Sequence, residues 1–186
     1  MPLFPMFVEI EGKNVLVVGG GTVAQRKIEK LIPFKPKIEV VAKSINEDIK
    51  RLTKDYKDII LNERTFDFSD LENRDVVIVA VDDISLQKEI YEECVKRKIP
   101  VNSVDSPDYC SFIFPALVVK GDLVIGISTS GTVPGLSAKV RKHIEKSLPE
   151  NIEEILNELK QIRETLPKGE ERQKKIIEVV EKLFND

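Results

Sequence analysis

Two kinds of hydrophobic pattern alternate along the first hundred residues of the chain. Short continuous apolar runs predict strands buried on both faces, and segments with apolar residues every three to four positions predict the helices that cover them. Residues 2–11 are expected to form an edge strand or an arm against the sheet. The predicted strands are 14–18, 37–42, 58–63, 75–81 and 100–104, and the predicted helices are 22–32, 45–54 and 84–97. This alternation is typical of a doubly wound, Rossmann-type α/β domain with a parallel sheet.

The pattern changes after residue 113. Two apolar runs separated by Lys120-Gly121-Asp122 predict a strand pair with a tight turn, and Pro134 then begins an amphipathic helix. Two more helices with apolar stripes are predicted at 150–165 and 170–184. We therefore expect three parts: a Rossmann-type domain over 1–113, a strand pair and helix over 114–147, and a small helical domain over 148–186.

The junction of the first strand and the first helix contains a glycine motif. Gly19, Gly21 and Ala24 match the G-x-G-x-x-G/A pattern of dinucleotide-binding turns. Gly19 allows a sharp turn, Gly21 lets the backbone approach a pyrophosphate, and Ala24 lets the helix pack close to the strand. A glycine turn without a ligand is the alternative. The residues expected to bind the dinucleotide here are Gly19, Gly20, Gly21, Thr22 and Val23.

The end of the second strand bears on the choice of cofactor. An Asp or Glu usually binds the adenosine ribose there, but this strand ends in Ala42-Lys43-Ser44, and Glu39 lies too early in the strand. We expect Ser44 and the backbone to contact the ribose. Lys43 is compatible with a 2′-phosphate, so NADP stays open beside NAD, which is the expected cofactor.

Acidic residues follow the fourth and fifth strands. Asp82 and Asp83 can line the ligand crevice, cap the next helix, or do both. Asp105 follows the fifth strand, at the edge where ligands of open α/β sheets bind. A carboxylate there can transfer a proton beside a nicotinamide, and a turn cap before Ser106-Pro107 is the alternative.

A second turn rich in hydroxyl groups precedes the helix that begins at Pro134. Ser128, Thr129 and Ser130 place hydroxyls and free N–H groups before this helix, an arrangement that suits an anion or a carboxylate. Ordinary capping of the helix is the alternative.

Composition excludes several classes of protein. Of the 186 residues, 41% are hydrophobic and 33% are charged, and the net charge of −3 gives no support for a nucleic-acid partner. No apolar run is long enough for a membrane span, and the first residues lack a basic leader, so we expect a cytoplasmic protein. Cys94 and Cys110 lack metal-site spacing and His143 is the only histidine. We therefore expect no resident metal and no disulfide, with both cysteines acting as small hydrophobes.

Four separated motifs together resemble the siroheme synthase family, in particular its stand-alone precorrin-2 dehydrogenases, some of which are also sirohydrochlorin ferrochelatases. The motifs are VVGGGTVAQRK at 17–27, NSVD at 102–105, SFIFPA at 111–116 and STSGTVP at 128–134. The resemblance covers essentially the whole chain, most firmly residues 4–145.

The resemblance implies NAD-dependent oxidation of precorrin-2 to sirohydrochlorin. It also implies a homodimer built largely by residues 114–147, and a helical C-terminal unit beside the tetrapyrrole cleft. Asp105 matches the essential carboxylate of the family, which is assigned to proton removal and, where it occurs, to chelation. Because the substrate carries multiple carboxylates, its cleft is expected to offer hydroxyls and cations. The candidates are Ser128, Thr129, Ser130, Lys139 and Arg141.

Some functions remain open at this point. Thr129 stands where family members often have serine, and Arg26 and Lys27 match the motif but can equally serve interface packing. Metal insertion is less strongly indicated than dehydrogenation, because His143 lies among charged helix residues typical of a surface. A non-catalytic NAD(H)-sensing module and a chelatase without dehydrogenase activity are the rival functions.

Overall fold

A computed structural model of the chain describes residues 2–184, except for the side chains of Pro134 and Phe184. Met1, Asn185 and Asp186, at the ends of the predicted first and last domains, lie outside the described residues. The chain divides into two compact units. One is Met6–Phe114, and the other combines Met1–Pro5 with Pro115–Asp186.

The unit Met6–Phe114 is built on a five-stranded parallel sheet. Its strands are β1 (Asn14–Val18), β2 (Lys37–Ala42), β3 (Ile59–Glu63), β4 (Val76–Val79) and β5 (Val101–Ser103). Its helices are α1 (Thr22–Leu31), α2 (Glu47–Asp55) and α3 (Ile84–Arg97). The strand order is β3-β2-β1-β4-β5, so the winding reverses between β1 and β4, where open α/β sheets bind ligands. The predicted Rossmann-type fold is confirmed.

Both faces of this sheet are buried, as the continuous apolar runs predict. Successive strand residues point to opposite faces, so Val15 and Val17 of β1 contribute to one core cluster and Leu16 and Val18 to the other. The first cluster includes Ala24, Ile28 and Ile49 from α1 and α2. The second includes Ile90 and Cys94 from α3. Burial raises the pKa of Cys94 to about 11, which agrees with its expected role as a small hydrophobe.

The second unit contains a hairpin and three helices. They are β6 (Ala116–Lys120), β7 (Leu123–Ile127), α4 (Pro134–Ser147), α5 (Ile152–Thr165) and α6 (Glu170–Phe184). The strands are antiparallel, with Lys120 opposite Leu123, and Gly121 adopts a φ of 54° in the two-residue turn between them. The Lys160 ammonium pairs with the Asp122 carboxylate, which ties α5 to this turn. The predicted domain boundaries, with a segment over 114–147 and a domain over 148–186, stay a prediction.

The pattern missed several local features. Residues 2–10 form no strand, so the edge-strand alternative is wrong. Three short 3-10 helices also occur that were not predicted, at Ile32–Phe34, where the predicted first helix included Ile32, and at Phe68–Leu71 and Pro107–Tyr109. Such turns are too short to show a hydrophobic period. Within residues 2–184, none of the helices has the length and apolar content needed to cross a lipid bilayer.

Candidate functional site

The three glycines after β1 differ in what surrounds them. Gly19 has a φ of +123°, and a Cβ there would lie 2.1 Å from the carbonyl oxygen of Ala80. A Cβ on Gly20 would lie 2.1 Å from the carbonyl oxygen of Ser44. By contrast, a Cβ on Gly21 would meet no atom within 4 Å. Gly19 and Gly20 are therefore required by the protein's own backbone, whereas the lack of a side chain at Gly21 keeps open space in front of the helix.

The N-terminus of α1 leaves its backbone donors free. Gly21 is the N-cap residue, no side chain caps the helix, and the first turn contains no acidic residue. The first N–H groups of a helix have no intrahelical acceptor, and the helix dipole makes this end partly positive. Ala24 is fully buried, so α1 lies close to the sheet. The turn thus has the free donors and the space that a dinucleotide pyrophosphate requires.

The end of β2 lies beside this turn. The Asn46 N–H donates to the carbonyl oxygen of Gly20 at 2.9 Å, which links the segment after β2 to the glycines. Lys43 and Ser44 are exposed there. They are therefore accessible to a ligand bound at the turn.

Glu39 is occupied by other partners. Its Oε1 accepts from Asn62 Nδ2 at 2.7 Å, and its Oε2 accepts from Arg74 Nη2 at 2.5 Å. Both the Glu39 and the Arg74 side chains are largely buried. Because both carboxylate oxygens are used inside the unit, Glu39 is not free to bind a ribose, in agreement with the interpretation of the sequence.

The two acidic residues after β4 have different environments. Asp83 is the N-cap of α3, and its Oδ1 accepts from the Leu86 N–H at 3.1 Å. Asp82 is exposed and precedes this cap. The capping alternative therefore applies to Asp83 and leaves Asp82 at the strand edge.

Asp105 is exposed in the turn after β5. Its φ of 59° is left-handed, a conformation that Asp and Asn tolerate better than most residues. The Val104 N–H donates to the carbonyl oxygen of Val79 at 2.9 Å, so this turn lies beside the end of β4, which itself pairs with β1. Two strand spacings, about 10 Å, therefore separate the ends of β1 and β5. Asp105 and the glycine turn share one edge of the sheet.

A cluster around Lys27 also forms near this edge, and the sequence did not predict its contacts. The Lys27 Nζ donates to Asn102 Oδ1 at 3.2 Å and lies 4.2 Å from the centroid of the Phe114 ring. Asn102 is buried, and its Nδ2 donates to the carbonyl oxygen of Phe112 at 2.9 Å. The three residues belong to three of the motifs quoted above. The occurrence of these three motifs together in one sequence is the signal that could have revealed the cluster.

The Lys27 ammonium has a pKa lowered to about 8. Burial is the main cause, and the positive charge of Lys30 acts in the same direction. The charges of Cys110 and Asp105 raise the pKa and only partly compensate. Of these four causes, the charge of Asp105 contributes least.

The hydroxyl-rich turn belongs to the other unit. Ser128 Oγ accepts from the Ser130 N–H at 2.9 Å, Thr129 Oγ1 accepts from the Val133 N–H at 3.1 Å, and Ser130 Oγ accepts from the Leu3 N–H at 3.0 Å. None of these contacts caps a first-turn N–H group of α4, whose N-cap residue is Val133 and has no side-chain cap, so the capping alternative is wrong. Each hydroxyl proton remains available to an anion, so the substrate role of the three residues stays a prediction.

His143 is exposed on α4. Across residues 2–184, no three side chains of His, Cys, Asp and Glu gather in a way that could hold a metal ion.

Comparison with known proteins identifies relatives of the chain. The chain is 40% identical over 149 residues to a siroheme synthase of Ruthia magnifica, covering 80% of this chain and 31% of that protein. It is 37% identical over 155 residues to a siroheme synthase of Buchnera aphidicola, covering 83% and 33%. The chain thus spans about a third of the length of these curated relatives. The resemblance to siroheme synthases is confirmed.

A solved structure named SirC, precorrin-2 dehydrogenase, matches the fold with a TM-score of 0.77 and 24% identity, over 96% of this chain and 89% of that one. The family described as "Putative NAD(P)-binding" matches residues 6–116. This range includes the glycine turn, Asp105 and the Lys27 cluster, and it extends over more than half of the sequence. A nicotinamide dinucleotide is therefore confirmed as the cofactor, and the chain belongs to this NAD(P)-binding family.

Proposed function

We propose that the chain is a precorrin-2 dehydrogenase that uses NAD to oxidise precorrin-2 to sirohydrochlorin. The observation that carries the proposal is the open glycine turn at Gly21 on the same sheet edge as the exposed carboxylate of Asp105. The similarity to siroheme synthases and the shared fold with SirC agree with it.

In this proposal, different residues at the sheet edge bind different parts of the dinucleotide. The N–H groups of Thr22 and Val23 donate to the pyrophosphate in front of Gly21. Lys43 and Ser44 contact the adenosine ribose at the end of β2. Asp82 lines the crevice at the end of β4.

A nicotinamide held at this edge would supply the acceptor for a hydride from the substrate. Asp105 accepts the proton that the substrate releases, so that two electrons and two hydrogens leave and one double bond forms. The carboxylate is suited to this task because it is exposed and borders the crevice. Ser128, Thr129 and Ser130 are proposed to donate hydrogen bonds to substrate carboxylates, with Lys139 and Arg141 as further candidates.

We further propose that the enzyme is a cytoplasmic homodimer joined through residues 114–147. The apolar character of the β6 and β7 hairpin supports this assembly. Sedimentation should give twice the mass of the chain, and a monomeric mass under assay conditions would contradict it. Cell fractionation tests the location.

The decisive assay incubates the chain with precorrin-2 and NAD⁺ while NADH absorbance and the sirohydrochlorin spectrum are recorded together. Both signals should rise in equal amounts. Asp105→Asn should retain NAD binding and lose turnover.

The rival functions predict other results. Nucleotide binding without either signal would favour an NAD(H)-sensing module. Metal insertion on supplying sirohydrochlorin and Fe²⁺, with no dehydrogenation of precorrin-2, would favour a chelatase.

A further inference from the structure

Lys27 differs from Arg74, another partly buried cation of its unit. Arg74 pairs with the carboxylate of Glu39. Within residues 2–184, the Lys27 ammonium makes no ion pair and instead contacts only neutral groups, the amide oxygen of Asn102 and the ring of Phe114. The charge of Lys27 is therefore held in position but not neutralised.

Such an arrangement is unfavourable for the protein alone. Removing an ammonium from water is costly, and a neutral amide and an aromatic face compensate only in part. The lowered pKa of Lys27 reflects this shortage of compensation. An anion that bound beside the ammonium would supply the missing charge, so the cluster is better suited to a ligand than to the stability of the unit.

The location of Lys27 limits which anionic group of a ligand can reach its ammonium. Lys27 lies six residues beyond Gly21 on α1, which is about 9 Å along the helix from the end that faces the pyrophosphate. Asn102 lies on β5, three residues before Asp105. The ammonium is thus separated from the phosphate end of the helix and contacts a residue three positions before the carboxylate that we assign to proton transfer.

We propose that Lys27 binds a carboxylate of the substrate beside Asp105 and thereby orients the substrate for the reaction. This inference rests on the proposed function, because precorrin-2 is the ligand that brings carboxylates to this site. Asn102 and Phe114 act as positioning residues that hold the ammonium in place. The dinucleotide is bound independently of Lys27.

The assignment has a consequence for pH dependence. Lys27 binds an anion only when protonated, so substrate affinity is expected to be full below a pH of about 8 and to weaken above it. The charged groups that affect the pKa of this ammonium are Lys30 on its own helix, and Cys110 and Asp105 on the segment after β5. Removing the charge of Lys30 should raise the pKa of Lys27 and move the loss of affinity to higher pH.

The test compares Lys27→Met with Lys30→Met, two variants of one helix that change the net charge equally. Lys30 is exposed, so its substitution is the matched control. For Lys27→Met we expect the KM for precorrin-2 and the Kd for sirohydrochlorin to rise at least tenfold at pH 7, with unchanged NAD affinity and a Tm that is not lowered. Lys27→Arg should recover part of the loss, and Lys30→Met should match the parent at pH 7.

Each contrary result overturns the assignment. If the parent turns over precorrin-2 while Lys27→Met keeps its KM and the Kd for sirohydrochlorin within twofold, this inference fails and the proposed function stands. A parallel loss of NAD affinity would assign Lys27 to the dinucleotide, and a large fall in Tm in both Lys27 variants would assign it to the fold. Absence of turnover by the parent would overturn the proposed function and this inference together.

Discussion

Alanine substitutions at Gly19 and Gly21 are expected to have opposite effects on stability and on binding. At Gly19 the new Cβ would lie 2.1 Å from the Ala80 carbonyl oxygen and 2.7 Å from its carbon, on a backbone with a φ of +123°. A non-glycine residue in such a region costs about 1–3 kcal/mol, and overpacking costs about 1–3 kcal/mol more. Gly19→Ala should therefore lower the free energy of unfolding by about 4 kcal/mol.

At Gly21 the same change meets no protein atom, and the φ of −89° is accessible to alanine. Alanine is a poorer N-cap than glycine, but it restricts the unfolded chain by about 0.4–1 kcal/mol, and the two effects roughly cancel. Gly21→Ala should therefore leave stability within about 0.5 kcal/mol of the parent. Its methyl group would occupy the space proposed for the pyrophosphate, so NAD affinity should fall at least tenfold, or about 1.4 kcal/mol.

Thermal unfolding and calorimetric titration with NAD⁺ separate the two effects. For a chain of 186 residues, the loss at Gly19 corresponds to a fall in Tm of roughly 8–16 °C. Gly21→Ala should keep the parental Tm. Parental NAD affinity in Gly21→Ala would refute the idea that the pyrophosphate approaches this backbone, and a parental Tm in Gly19→Ala would refute the close contact with Ala80.

Three further changes test other parts of the site and the unit. Asp105→Asn should change stability by less than about 0.5 kcal/mol and keep NAD affinity, because asparagine also tolerates the left-handed backbone at this exposed position, while turnover is lost in the NADH assay. Glu39→Gln should destabilise the unit by about 1–3 kcal/mol in urea titrations, because it weakens the contact with Arg74. It should leave the ratio of NAD to NADP affinity unchanged. An altered ratio would show that Glu39 contacts the ribose. Hydrogen bonding to Arg64 is the main cause of the lowered pKa of Asp70. The stability that this carboxylate contributes is therefore present above the usual carboxyl pKa and is lost as the pH falls below it. On acidification, urea titrations should show a smaller loss of unfolding free energy in Asp70→Asn than in the parent.

The sequence alone determined the main helices and strands and the edge where the candidate site lies. The predicted bounds of α3 and β2 agree with the structure residue for residue, because each element expresses its own hydrophobic period or continuous apolar run. Parallel strands place their carboxyl ends together, so the glycine turn and Asp105 could be assigned to one edge without coordinates.

Tertiary structure decided which side chains meet. Gly20 requires its small size because the Ser44 carbonyl approaches it, a contact absent from the glycine motif. Glu39 is withdrawn from the crevice by Arg74, 35 positions later in the chain, and Lys27 meets Asn102 across 75 positions. Hydrophobic periodicity reports only which face of an element is buried. The partner of a charge on that face depends on how distant segments pack, and it is this packing that brings the Lys27 ammonium against the amide of Asn102 and the ring of Phe114.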